Sequence, residues 1–213
     1  MSIPKRPENE EELQKREAIG TIRASRFVRK YAKSNGPIGI DTICAIHAEI
    51  FKEAWPEIAG VWRIEELKIT DSHHLPPHHS EVPELTKNLN EEFAKKTKEL
   101  KSIRGFVLGK SAPTDDELQA IDDIINVAAW IHHKITHIHP FRDGNGRTAR
   151  LATNLILERY GLVGISIKIE RENKNEYRKA LSQIDSHNDY EPLVNIISRG
   201  LIDRYHGIPM KIL

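Results

Sequence analysis

The stretch "HIHPFRDGNGRTAR", His137 to Arg150, decides how the chain around it folds. Upstream, "TDDE" from Thr114 has the form of a capping box with Glu117 at its third helical position. Leu118, Ile121, Ile125 and Ala128 then recur at helical spacing toward His137. Downstream, Leu151, Ala152, Leu155 and Ile156 mark the apolar side of another helix, and Gly161 suits its C-terminal cap. Pro140, Gly144 and Gly146 interrupt the pattern between them. The stretch therefore reads as a loop that joins two helices and feeds directly into the N-terminus of the second.

That position has a chemistry. The first N–H groups of a helix have no intrahelical acceptor, and the helix dipole adds partial positive charge there, so the site attracts phosphate. Gly144 and Gly146 keep side chains out of the way, and Asn145 either holds the loop or donates a bond. Arg147 and Arg150 lie three apart, on one helix face, and suit two further phosphates. Asp143 would repel phosphate unless a cation intervened, which assigns it to Mg2+. His139 precedes Pro140 at the helix end and is the candidate general base, while Phe141 anchors the loop by turning into the core.

Working outward, helix-forming sequence runs from Glu10 to Ala32 and again from Asp41 to Lys52, separated by "SNGPIG". Leu85, Leu89, Phe93 and Leu100 give a further helix with one solvated face, and helical patterns return around 177–184 and 193–205. "VWRIEELKI", from Val61, is compatible with extended chain, and the proline- and histidine-rich "TDSHHLPPHHSEVP" follows it. The expectation is an all-α protein with a small β-hairpin flap at the surface. Residues 1–39 form an N-terminal helical arm packed on a domain of residues 40–213. "ISIKIE", from Ile165, reads as a brief extended connection. "GFVLGKS", from Gly105, has three residues between its glycines where a P-loop has four, and reads as a connecting loop.

Composition narrows the function. With 32 basic and 31 acidic residues the net charge is +1, which points away from nucleic acid and from a polybasic membrane contact. The start of the chain lacks an apolar signal core, and no segment approaches the roughly 20 apolar residues of a spanning helix. A cytoplasmic protein is expected. Cys44, the lone cysteine, lies in the apolar-periodic "IDTICAIHAEIF" and reads as a buried small hydrophobe. His133 and His137 are four apart on a helix but lack the intervening glutamate of a zincin, so packing or hydrogen bonding is the reading preferred over zinc. His73, His74, His78 and His79 read as a solvated or target-contacting loop.

"HPFRDGNGRTAR", His139 to Arg150, resembles in full the Fic-family signature His-x-Phe-x-Asp/Glu-Gly-Asn-Gly-Arg-x-x-Arg. The resemblance extends less sharply to "IFKEAWPEIAGVWR", to the flap and to "AAWIHHKITHI", covering about residues 40 to 204 in helix order. It implies a helical core whose two loop-flanking helices hold the active site, and a hairpin flap. It also implies transfer of AMP from ATP to a Ser, Thr or Tyr hydroxyl of a target protein, with loss of pyrophosphate. His139 would activate the hydroxyl, Asp143 bind Mg2+, Gly144 to Gly146 cradle phosphates, and Arg147 and Arg150 orient the triphosphate. The target would dock at the flap, Leu67 to Val82. The phosphorylating Doc branch departs from the Gly-Asn-Gly pattern kept here, which favours AMP transfer.

Many family members carry an inhibitory helix, Ser/Thr-x-x-x-Glu-Gly/Asn, whose glutamate pairs with the second arginine. In "TIRAS", from Thr21, Ser25 stands where that glutamate would be. The resemblance is thus to members closed by a separate small antitoxin-like partner, or not closed this way. Two other readings stay open: a non-catalytic regulator that keeps the nucleotide cradle, or an enzyme that transfers a different nucleotide moiety. A metal hydrolase using the paired histidines is a third class.

Overall fold

The computed structural model describes residues 5–34, 36–69, 74–104, 113–167 and 172–206. Among these residues the chain forms seven α-helices: α1 (Glu10–Ala32), α2 (Ile40–Phe51), α3 (Val82–Glu99), α4 (Asp115–Ile138), α5 (Asn145–Tyr160), α6 (Glu172–His187) and α7 (Glu191–His206). The helix starts follow the local chemistry. Asn9 caps α1 by accepting from the amides of Glu11 and Glu12. Thr114 and Glu117 form the reciprocal capping box at α4, with Thr114 N 2.8 Å from Glu117 Oε2.

α4 is the central helix. Ile124, Ala128, Ile131 and Ile135, spaced by three and four residues, are all 0% exposed. α5 packs along it, α3, α6 and α7 also lie against it, and α1 packs on both α2 and α5. Gly20 allows the α1 contact: a Cβ there would sit 1.9 Å from the Ile50 carbonyl oxygen of α2. No helix of the described residues is long and apolar enough to cross a membrane.

The expected hairpin does not form among the described residues. Residues 61–69 and 74–78 are irregular, and the one β-contact is an isolated antiparallel bridge between Trp62 and Phe141. The reason lies in where the hydrogen bonds go. The Arg63 amide donates to the Pro140 carbonyl at 2.9 Å, so this stretch pairs with the turn after α4 instead of with a second strand. Pro76 and Pro77 in the returning segment lack the donors a ladder needs. Residues 70–73, and "GFVLGKS", lie outside the described residues. Residues 165–167 are not a strand either, because Asn154 takes both main-chain groups of Ile165, at 2.9 and 3.0 Å. Cys44 is only half-buried, and burial raises its thiol pKa.

Candidate active site

α4 ends at His139, whose backbone is left-handed (φ 53°, ψ 54°), a conformation rare outside glycine. Pro140 disfavours a further helical residue before it, and Arg63 fixes the turn. Arg63 is 3% exposed, and its guanidinium is consumed by main-chain carbonyls: His139 at 2.8 Å, Glu65 at 3.0 Å and Pro77 at 2.5 Å. Nδ1 of His139 lies 3.1 Å from the Thr136 carbonyl, an acceptor only, so this nitrogen carries the proton. Nε2 is then a lone pair. Burial holds the His139 pKa below the ordinary imidazole value, outweighing the hydrogen bond to Thr136, so the ring is a neutral proton acceptor at neutral pH.

The loop after it is pinned from beneath. Phe141 is 0% exposed and stacks on His47, with ring centroids 3.9 Å apart and planes 8° apart. His47 accepts from the Gly60 amide at Nδ1 (2.9 Å) and donates from Nε2 to the Asp143 carbonyl (3.0 Å). Burial lowers its pKa to about 4, so it serves as a neutral strut. Asn145 is likewise structural: its Oδ1 accepts from the Phe141 amide at 2.9 Å and its Nδ2 donates to the Phe141 carbonyl at 2.7 Å. Its side chain is therefore spent on the loop, and what residue 145 can offer a ligand is its main chain.

α5 begins at Gly144 (φ 73°) with no side-chain cap. The first intrahelical bond is Thr148 N to Gly144 O, at 2.9 Å, so the amides of Asn145, Gly146 and Arg147 precede it, as an anion site requires. The two glycines differ. A Cβ on Gly144 would meet Phe51 Cε2 at 2.4 Å, whereas a Cβ on Gly146 would meet only Arg150 Nη1, at 3.4 Å. Gly144 is demanded by the protein itself, and Gly146 leaves space that the protein does not fill.

The arginines are held in place. Arg147 pairs with Glu17 of α1 at 2.6 Å and with Asp143 at 3.4 Å, and its guanidinium lies 5.0 Å over the Phe51 ring. Arg150 lines one cavity with Tyr177 of α6, whose hydroxyl favours the charged form of the guanidinium against burial. A directed chain follows. Tyr177 OH donates to His132 Nε2 at 2.8 Å, His132 Nδ1 donates to Thr153 Oγ1 at 3.0 Å, and Thr153 donates to the Ala149 carbonyl at 3.0 Å. Burial lowers the His132 pKa to about 3 and raises that of Tyr177 to about 12, so neither ionises near neutral pH. Asp143 has a half-exposed side chain; Oδ1 accepts from the Gly144 amide at 2.5 Å and Oδ2 faces Arg147. One accessible carboxylate beside an uncapped helix start is a donor set that fits Mg2+, which is commonly held by one or two carboxylates plus phosphate oxygens and water.

A cavity of about 280 Å3 joins these pieces: Thr136, His139, Gly146, Arg150 and Tyr177 line it, with Ile69 on the flap side. Arg147 and Asp143 stand at the outer end of the same helix start. Arg63, His47, Tyr177 and Glu17 are not marked out by the sequence motif. His47 left a trace, as a polar residue between Ile46 and Ile50 on an apolar helix face; the others act across the fold and carry no local signal. His133 and His137 are hydrogen-bonded to Asp185, both at 2.8 Å.

Comparisons with known proteins bear on the family and the fold. Residues 37–157 match the Fic/DOC family model. The chain is 32% identical over 189 residues to protein adenylyltransferase Fic of Nematostella vectensis, covering 88% of this chain and 38% of that protein. It is 31% identical over 196 residues to protein adenylyltransferase fic-1 of Caenorhabditis elegans, covering 90% and 34%. Its length thus spans little more than a third of these relatives. Among solved structures, C. elegans Fic-1 (residues 134–508, E274G) superposes with a TM-score of 0.67 at 28% identity, over 97% of this chain and 54% of that one. The chain belongs to the Fic/DOC family.

Proposed function

We propose that this Fic/DOC protein is an adenylyltransferase that moves AMP from ATP to a Ser, Thr or Tyr hydroxyl of a target protein. The observation that carries this reading is His139, a neutral imidazole with Nδ1 tied to Thr136 and Nε2 left to accept a proton, in one cavity with Gly146 and Arg150. The relatives' name, protein adenylyltransferase, supports the same chemistry. The hydroxyl oxygen attacks the α-phosphorus of ATP, and the bond from that phosphorus to the bridging oxygen breaks as pyrophosphate leaves. Nε2 of His139 takes the hydroxyl proton. The amides at the start of α5 and the guanidinium groups of Arg147 and Arg150 bind and orient the phosphates.

Asp143 is the residue that would hold Mg2+, which when bound neutralises phosphate charge. The target docks at Leu67 to Val82, where Leu75 is 74% exposed and Ile69 and His74 line the cavity. Any inhibitor is expected to act in trans, as a small antitoxin-like partner; among the described residues the group beside Arg150 is the Tyr177 hydroxyl. Glu17 does reach the cradle, but on Arg147.

The test is incubation with ATP labelled at the α-phosphate and cell lysate. Labelled protein is expected with the wild-type chain. His139→Ala should lower transfer by more than roughly 100-fold, the range for a general base, while leaving ATP binding intact. Transfer by His139→Ala at the wild-type rate, or label appearing only from γ-labelled ATP, would refute the mechanism.

A further inference from the structure

A second constellation stands on the far wall of the same cavity. His74 in the flap segment, His137 in the last turn of α4 and Asp185 on α6 each bring one ligand atom within 4.8 Å of the others. The three elements are remote in sequence, so the convergence is a product of the fold. Oδ1 of Asp185 lies 2.8 Å from Nδ1 of His137, and Oδ2 lies 3.8 Å from Nδ1 of His74. The His74 and His137 rings are stacked obliquely, with centroids 4.5 Å apart.

The protons on these rings are set by their other partners. His74 Nε2 lies 2.8 Å from the His137 carbonyl, which accepts only, so Nε2 carries a proton and Nδ1 is the atom that faces Asp185. The 3.8 Å between that nitrogen and the carboxylate oxygen leaves room for a cation to bridge them. His133 completes the arrangement from outside: its Nε2 donates to Asp185 Oδ1 at 2.8 Å, and its Nδ1 accepts from the Tyr190 hydroxyl at 3.3 Å. A histidine that fixes a ligating carboxylate in this way is the usual outer support of a metal site. The ligand side chains are sheltered without being sealed, at 16% exposure for His74, 40% for His137 and 21% for Asp185.

We propose that His74, His137 and Asp185 form a Zn2+ site that fastens the stretch beginning at His74 to α4 and α6. Two imidazoles and a carboxylate suit zinc, whereas Mg2+ prefers oxygen alone, so this ion is separate from the one assigned to Asp143. Bonds of about 2.0–2.2 Å place tetrahedral ligand atoms roughly 3.3 Å apart, so the wider pairs need to close by at most about 1.5 Å and the His137–Asp185 pair, at 2.8 Å, to open by about 0.5 Å. The fourth position opens toward the cavity that His139 and Arg150 line. The inference does not depend on AMP transfer, because its readout is metal content.

The full chain, stripped with a chelator and dialysed against micromolar ZnCl2, should retain one zinc ion per chain by mass spectrometry. Co2+ in its place should give the visible absorption of a tetrahedral site. His74→Ala and Asp185→Ala should each weaken zinc binding by more than about 100-fold, and His133→Ala by about 10- to 100-fold, as loss of an outer support does. A His78→Ala, His79→Ala double variant should bind normally, since those residues cluster separately with Glu66. Circular dichroism checks each variant's fold; if Asp185→Ala does not fold, His74→Ala, which lies outside the helices, decides. No stoichiometric zinc in the wild-type chain, undiminished binding by folded His74→Ala, or loss of binding in the double variant instead would each overturn the proposal.

Discussion

Gly144 and Gly146 stand two residues apart in one motif, yet alanine at each should fail in opposite ways. At Gly144 the new Cβ would lie 2.4 Å from Phe51 Cε2 and 2.8 Å from Cζ, and Phe51 is fully buried and cannot swing aside. The residue is also left-handed at φ 73°, which costs an L side chain roughly 1–2 kcal/mol. Overpacking a filled core adds about 1–3 kcal/mol, so Gly144→Ala should lose about 2–5 kcal/mol. For a chain of this size, at about 2–4 °C per kcal/mol, the melting temperature should fall by on the order of 10 °C. At Gly146 the backbone is helical and the nearest atom to the new Cβ is Arg150 Nη1 at 3.4 Å, so alanine should be neutral or stabilise by up to about 1 kcal/mol. The methyl would instead occupy the space over the uncapped amides. Losing one charge-assisted bond to phosphate costs about 1.5–3 kcal/mol, or roughly 10- to 150-fold in ATP affinity. Differential scanning fluorimetry and calorimetric titration with a non-hydrolysable ATP analogue measure both quantities. Gly146→Ala that binds the analogue normally would remove the helix start from the nucleotide site, and Gly144→Ala that melts with the wild type would refute the packing argument.

Arg63→Ala should destabilise the chain by about 3 kcal/mol or more in urea unfolding, because the carbonyls of His139, Glu65 and Pro77 lose their donor together; an effect below about 1 kcal/mol would mean that the turn holds itself. Asp143→Ala should lower transfer and raise the Mg2+ concentration needed for it, and a mutant indifferent to both metal and chelator would argue against a magnesium site. Stability should also fall in acid through His132. Burial lowers its folded pKa from 6.5 to about 3, so between these values the unfolded chain binds a proton that the folded chain does not. Its contribution is complete above the unfolded value, and going from about pH 7.5 to about pH 5.5 removes about 1.4 kcal/mol. The His132 ring resonances should stay in the neutral position across that range in NMR spectra, and a midpoint near 6.5 would refute the assignment.

The helices were legible because the period of their apolar residues and their caps are local. Glu10–Ala32 is bounded as its composition implies, and the capping box at Thr114 forms with the partners its spacing names. The candidate site could be proposed from sequence for the same reason: His139, Asp143, Gly144, Gly146, Arg147 and Arg150 lie within twelve consecutive residues. A helix start that attracts phosphate is a property of the backbone at that point. The hairpin is not shown among the described residues: alternation along "VWRIEELKI" does not say where its amides will bond, and that of Arg63 bonds to the turn after α4.

What the tertiary structure decided is which side chain completes which. Asn145 turned out to serve Phe141, and Arg150 came to share a cavity with Tyr177 from a helix more than twenty residues away. The protonation state of His139 depends on burial by its neighbours as well as on Thr136 in its own helix. The meeting of His74, His137 and Asp185 has no spacing that a sequence could reveal. The chain's own order thus determines elements and a contiguous anion cradle, whose forces act over one or two turns. Burial, tautomer and long-range partners follow from packing, and only the folded arrangement sets them.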